Sequence, residues 1–307
     1  MDRIKPQKLR KNDEIRIIAP SSMPPMKELS EGMEILKKMG YRVSLGKNLK
    51  KHSYVSEFSA PVEERLEDLH QAFKDDVKAI FCAKGGHGTI NLLDEIDYEL
   101  IRENPKIFLG YSDITALHMA FQEKSGLITF HGPMPSSDLE TLNSPAFIEF
   151  MDILGGNTKS VYFNPDRFIK SNGKPDAEGI TTGTNLSVAT ALFNTEYMPN
   201  PSDKIFLLED TNVRYGEIDR ELFNISHSYL KEFRAYVFGE FKVMESSREP
   251  NYLTQNAIHN FSSKVGKLCL FDMPFGHGKE HMLLPLNAKV RISSEFPYIE
   301  LLEDIVE

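Results

Sequence analysis

Cysteine is nearly absent from this 307-residue chain, which holds two, Cys82 and Cys269. Two residues cannot build a disulfide framework. Each lies in an apolar run, AIFCA and KLCLF, where Cys acts as a small buried hydrophobe. An excess of positive charge is also missing, since 36 Lys+Arg stand against 45 Asp+Glu for a formal net charge of −9. That balance excludes the basic face of a general nucleic-acid binder, so no nucleic-acid partner is expected. No apolar run approaches the ~18 residues of a membrane span, and no apolar stretch follows the basic opening MDRIKPQKLRKNDE to make it a secretory signal. The expectation is a soluble, cytoplasmic protein with no membrane partner. What remains is ordinary for a globular chain, 40% hydrophobic and 26% charged. At roughly 150 residues per domain it divides into about two domains, large enough to fold without disulfides or a structural metal.

The first half alternates strands with helices. EIRIIAP (14–20), YRVSLG (41–46), VKAIFCA (77–83), KIFLGY (106–111) and LITFHG (127–132) read as strands. Met26, Leu29, Met33, Leu36 and Met39 recur at helical spacing up to Gly40, and Ser59 and Pro61 open a second helix carrying Leu66, Leu69 and Phe73. Further helices are predicted near 88–104, 113–124 and 144–154. Strands apolar on both faces, alternating with helices, indicate a parallel sheet covered on both sides. The polar stretch 166–178 reads as a linker between a domain at 1–165 and one at 179–307. The second domain shows strands at KIFLLE (204–209), YVFGEF (236–241) and KLCLFDM (267–273), helices near 216–230 and 252–263, and a β-rich end.

Ligands of open α/β sheets gather beyond the carboxyl ends of the strands. There the chain places Lys84-Gly85-Gly86-His87-Gly88, Ser112-Asp113, His131, Glu209-Asp210 and His277, the components of a serine-nucleophile hydrolase. Ser112 sits between a buried strand and the helix DITALHMAF, where a tight turn projects a hydroxyl and helix-start N–H groups stabilise an oxyanion. Ser112 or Asp113 serving simply as a helix cap is the alternative. KGGHG lacks both nucleotide-loop spacings, so it reads as an oxyanion loop with a Gly86 N–H donor or as a plain tight turn. His131 and His277 both qualify as the base, and Glu209, at the rim of its strand, as the orienting acceptor. His277-Gly278-Lys279-Glu280-His281 fits a zinc pattern, H-x-x-E-H, but the surrounding Pro274, Gly276 and Gly278 favour a loop over the helix that pattern requires.

In this order, the blocks IRIIAPSS, KGGHG, NPKIFLGYSDITAL, TFHGPM, TNLSVATALFNTEY, KIFLLEDTNVRYGEIDREL, VFGEF and FGHGKEHMLLPLNAKVRI resemble the serine LD-carboxypeptidase family. That family includes murein tetrapeptide carboxypeptidases and microcin C immunity peptidases. The resemblance implies a flavodoxin-like or glutamine-amidotransferase-like N-terminal domain and a smaller β-rich α/β C-terminal domain. It makes Ser112 the nucleophile, His277 the base, Glu209 its orienting acceptor, and the N–H groups of Gly86 and Asp113 the oxyanion hole, with the triad assembled across the domain cleft. Gly85, His87, His131 and Asn185 are the candidate substrate-binding residues. The implied reaction is hydrolysis of an amide between an L-configured centre and a D-amino acid, with no metal or cofactor, in a homodimer. Two departures bear on substrate choice: Lys84-Gly85-Gly86-His87-Gly88 stands where many members have Arg-Gly-Gly-Tyr-Gly, and Gly183-Thr184-Asn185-Leu186 where they have Gly-Gly-Asn-Leu. The chain has no tryptophan, so a stacking surface for a nucleobase would need Phe or Tyr; this tilts the expected substrate towards a murein peptide.

Overall fold

The structure is a computed structural model that describes residues 2–49, 57–142, 144–162, 171–172, 175–244, 250–278, 281–296 and 298–307. In chain order the elements are β1 (Glu14–Ile18), α1 (Met26–Lys38), β2 (Arg42–Leu45), α2 (Val62–Lys74), β3 (Ala79–Cys82), α3 (Tyr98–Glu103), β4 (Ile107–Gly110), α4 (Thr115–Lys124), β5 (Thr129–His131), α5 (Leu139–Leu142) and α6 (Pro145–Leu154). Then come β6 (Ser160–Tyr162), β7 (Ser171–Asn172), β8 (Asp176–Asn185), α7 (Leu186–Ala191), β9 (Lys204–Val213), α8 (Tyr215–His227), β10 (Ala235–Val243), α9 (Asn251–Val265), β11 (Leu268–Leu270), β12 (Leu284–Leu286), β13 (Lys289–Ser293) and β14 (Tyr298–Leu301). The described chain divides into two compact units, one of Met1–Lys159 with Leu283–Asn287 and Asp304–Glu307, the other of Ser160–Met282 with Ala288–Glu303. Most of the expected linker, 166–170 and 173–174, lies outside the described residues.

The first unit is built on a sheet of order β2-β1-β3-β4-β5, parallel throughout, with β12 added antiparallel beside β5. The parallel part has the flavodoxin order, whose ligand crevice lies at the switch point between β1 and β3. Every residue of β3 and β4 is buried, as the continuous apolar runs require of strands covered on both faces. On one such cover, Phe73 of α2 and Phe121 of α4 pack edge-on at 5.9 Å, and Phe108 of β4 lies 4.9 Å from Phe121. The helix predicted over 88–104 is instead a 3₁₀ turn, Thr89–Glu95, followed by α3. Asp97 divides them because its carboxylate accepts the Leu100 N–H at 2.9 Å, a helix-starting cap.

The second unit carries a mixed sheet of order β6-β14-β13-β8-β9-β10-β11-β7. Its centre, β8 to β11, is parallel, and the flanking pairs are antiparallel. The strand expected over 204–209 continues to Val213, so Glu209 lies within the strand rather than at its rim. The helix predicted to reach 230 ends at His227, where the Ser228 side chain accepts the Leu230 N–H and starts a separate 3₁₀ turn. No helix among the described residues is long and apolar enough to cross a membrane.

Candidate active site

In the first unit the structure gathers Gly85, Gly86, His87, Ser112 and Asp113. Ser112 follows β4 and Tyr111 at a backbone φ of 64°, a left-handed conformation unusual for a side-chain-bearing residue. Such outliers concentrate at functional turns, where neighbouring structure holds them. The glycine loop packs on this turn so closely that a Cβ on Gly85 would stand 2.8 Å from Ser112 Cβ. Gly86 has φ 122°, and a Cβ there would stand 2.0 Å from Ser22 Oγ; only glycine meets both conditions.

Asp113 locks the turn to the loop. Its carboxylate, buried in the fold, accepts the Ser21 hydroxyl at 2.6 Å and the Thr89 N–H at 3.0 Å, while its carbonyl accepts the Thr89 hydroxyl at 2.6 Å. Ser21 also approaches the His87 carbonyl at 3.2 Å, and the His87 N–H donates to Ser22 Oγ at 3.2 Å. The His87 side chain is exposed. Arg65, though buried, is matched to carbonyls: Pro20 at 2.7 Å, Gly88 at 2.9 Å and Ala60 at 3.0 Å. The segments after β1 and β3 are therefore tied together at the switch point. His131 sits in β5 beside Gly110 of β4, fully buried, with its ring 5.5 Å from that of Tyr111.

The second unit brings Glu209 and His277 together. Glu209 is wholly buried on β9, and its Oε2 lies 2.7 Å from His277 Nδ1. A carboxylate can only accept, so Nδ1 carries the proton and Nε2 is left basic. A register break in β10 between Phe238 and Phe241 places His277. There the Glu240 N–H donates to the Phe275 carbonyl at 2.9 Å and the Met273 N–H to the Phe238 carbonyl at 3.0 Å. Phe275 is fully buried, Gly276 at φ 110° packs directly on the Glu209 side chain, and Lys242 Nζ donates to the His277 carbonyl. The described residues around the H-x-x-E-H segment, 271–278 and 281–283, are not helical, and Lys279 and Glu280 lie outside the described residues.

Asn185 pairs in register with Glu209, but its side chain works within the fold. Its oxygen caps α7 by accepting the Val188 N–H at 3.1 Å, and its nitrogen donates to Asp210 Oδ1 at 3.0 Å. Asp210 also accepts the Ser187 N–H at 2.9 Å and the Ser187 hydroxyl at 2.7 Å. Burial pushes its carboxyl above the usual range, with the Glu209 charge adding to the effect. Glu221 on α8, beside this network, is raised from 4.5 to about 7, first by burial and then by the Asp210 charge. Sequence reading missed Ser21, Arg65 and Glu221 as parts of the site, and it placed Asp210 beside Glu209 without giving it a role. Asp210, directly after Glu209, carried a local signal; the others are joined to the site only by tertiary contacts.

The class so defined is a two-unit α/β protein that carries the side chains used in serine-dependent acyl transfer. The LD-carboxypeptidase N-terminal domain matches residues 15–132, and the LD-carboxypeptidase C-terminal domain matches residues 178–292. Over 296 residues the chain is 33% identical to the probable murein peptide carboxypeptidase of Bacillus subtilis (strain 168), covering 94% of this chain and 92% of that protein. It is 26% identical to the microcin C7 self-immunity protein MccF of Escherichia coli, covering 93% and 91%. The crystal structure of muramoyltetrapeptide carboxypeptidase from Oxalobacter formigenes superposes with a TM-score of 0.79 at 27% identity, covering 94% of this chain and 97% of that one. The chain belongs to the LD-carboxypeptidase family, and at the level of that family it is a serine-type carboxypeptidase.

Proposed function

We propose that the protein releases terminal D-alanine from murein tetrapeptides in the cytoplasm, as a step of cell-wall recycling, through a Ser112–His277–Glu209 triad. The observation that carries this reading is the 2.7 Å bond from His277 Nδ1 to the fully buried Glu209 carboxylate. A binding protein has no need of a buried carboxylate fixing one histidine tautomer, whereas a general base does. The positive φ of Ser112, next to a glycine loop tied down by Asp113, supports it as the nucleophile.

In this mechanism Ser112 Oγ attacks the carbonyl of the amide that joins the L-configured centre to D-alanine. His277 Nε2 takes the hydroxyl proton, and Glu209 stabilises the imidazolium so formed. The tetrahedral oxyanion is held by the N–H groups of Gly86 and Asp113; a single such donor is worth about 3–4 kcal/mol in the transition state. His277 then gives its proton to the departing amine, the C–N bond breaks, and D-alanine leaves. Water, deprotonated by the same imidazole, attacks the acyl-enzyme and restores Ser112. Gly85, His87, His131 and Asn185 are proposed to shape the substrate site, and the working form is proposed to be a homodimer.

A second reading keeps the triad and exchanges the substrate for a peptidyl- or aminoacyl-adenylate, favoured by the 26% identity to the self-immunity protein. Purified enzyme offered a murein tetrapeptide and an aspartyl-adenylate analogue, with and without EDTA, separates the two. D-Alanine release that survives EDTA and is lost in Ser112→Ala is the expected result. Cleavage of the adenylate alone reverses the substrate assignment, and loss of activity in EDTA revives the zinc motif. A monomer by light scattering sinks the dimer.

A further inference from the structure

We propose that His118 is a positioning residue for the nucleophile, an imidazole that ties the end of β4 to α4 on either side of Ser112; this rests on the reading of Ser112 as nucleophile. His118 is the fourth residue of α4 and is 1% exposed. Its Nε2 is 2.9 Å from the Gly110 carbonyl oxygen, and its Nδ1 is 2.8 Å from Thr129 Oγ1. A carbonyl only accepts, so the proton sits on Nε2. Nδ1 is then an acceptor, and the Thr129 hydroxyl must donate to it. In the neutral ring, the form that burial favours for His118, the two bonds leave a single arrangement of protons.

The bond to Gly110 closes a short loop around the nucleophile. Gly110 ends β4 two residues before Ser112, and His118 stands six residues after it. Between them Ser112 is held at φ 64°, a conformation that a side-chain-bearing residue leaves unless its flanks are fixed. The Gly110 carbonyl has a second donor, the Gly132 N–H at 3.3 Å, which ties it sideways to the end of β5. His118 is the shorter bond and the one that links the two arms of the turn. Thr129, fully buried on β5, carries the restraint on to the neighbouring strand. Burial also lowers the His118 pKa to about 4, so near neutral pH the group holds its proton pattern and takes no part in proton transfer.

The test is the rate at which a fluorophosphonate probe labels Ser112 at 25 °C, with thermal melts of each variant alongside. His118→Gln places an amide N–H near the reach of Nε2, whereas His118→Asn reaches only as far as Nδ1. The glutamine variant is expected within about threefold of wild type and the asparagine variant about 10- to 100-fold slower, the scale of an ångström-level misplacement. With tetrapeptide, the loss is expected in kcat and not in KM. Equal labelling rates for the two variants, fast or slow, overturn the proposal. If neither histidine variant folds, Thr129→Val decides: slower labelling by roughly three- to tenfold, the order expected for one lost restraint, is the expected result, and wild-type labelling overturns it. A different outcome marks failure of the underlying reading: wild type that is not labelled at Ser112, or Ser112→Ala that still turns over peptide.

Discussion

Glu221→Gln should stabilise the protein at alkaline pH and do nothing at acid pH. Glu221 is raised from 4.5 to about 7 by burial and by the Asp210 charge, and its Oε2 is buried with no hydrogen-bond partner among the described residues. In the folded state the carboxyl therefore holds its proton up to about pH 7, while the unfolded chain releases it near 4.5. The folded form binds the extra proton in that interval, so this contribution to stability is complete below 4.5 and is lost as pH rises through 7. At 1.36 kcal/mol per pH unit, the gap between 4.5 and about 7 sets an upper bound of about 3.4 kcal/mol. Glu221 is only partly buried, and solvent screening reduces the effect to about 1–2 kcal/mol. Glutamine preserves the shape of the protonated acid without its titration. Wild type and variant should melt together at pH 5, and the variant should melt higher at pH 8 by an amount on the order of 5 °C. Groups not coupled to Glu221 cancel in the difference, and Asp210, which is coupled to it, adds to the alkaline gain of the variant by losing a neighbouring negative charge. An offset of the same size at pH 5 and pH 8, or a wild type that is the more stable at pH 8, would refute the reasoning.

Other substitutions probe the two halves of the proposed machinery. Glu209→Gln keeps the side-chain volume but can donate to His277 Nδ1 and so admit the wrong tautomer; kcat should fall by about 10³–10⁴ with little change in KM, and a loss under tenfold would remove Glu209 from the triad. Gly86→Ala meets φ 122° and a Cβ position 2.0 Å from Ser22 Oγ; it should cost about 1–3 kcal/mol in urea denaturation and lower kcat by about 10²–10³ as the N–H moves. Full activity in that variant would take Gly86 out of the oxyanion hole. Asp113→Ala strips the partners from the buried Thr89 N–H and Ser21 hydroxyl and should cost about 1–3 kcal/mol; an unchanged denaturation midpoint would contradict the lock between loop and turn.

The parallel sheet of the first unit was legible because AIFC and IFLG are buried on both faces and so read as unbroken apolar runs. The helix near 88–104 was misread because its apolar residues fit a helical period, whereas the break depends on one cap, Asp97 on Leu100. Glu209 was legible as the first polar residue after four apolar ones, but its place inside the strand was not. A polar residue ends an apolar run in sequence whether or not the strand ends there, and β9 continues because β8 and β10 supply hydrogen bonds on both sides. β12 escaped notice as a partner of β5, since three residues carry no period of their own.

The sequence by itself determined the α/β class, the strand ends where chemistry could gather, and the family, because these are written in local runs, short spacings and motif order. Only the tertiary structure decided what each polar group is bonded to. It set the Glu209 carboxylate on His277 Nδ1, turned Asn185 to the service of Asp210, and placed His118 on the Gly110 carbonyl. Hydrogen bonds act over about 3 Å in space, while Glu209 and His277 stand 68 positions apart along the chain. No local pattern holds a distance of that kind; packing alone creates it.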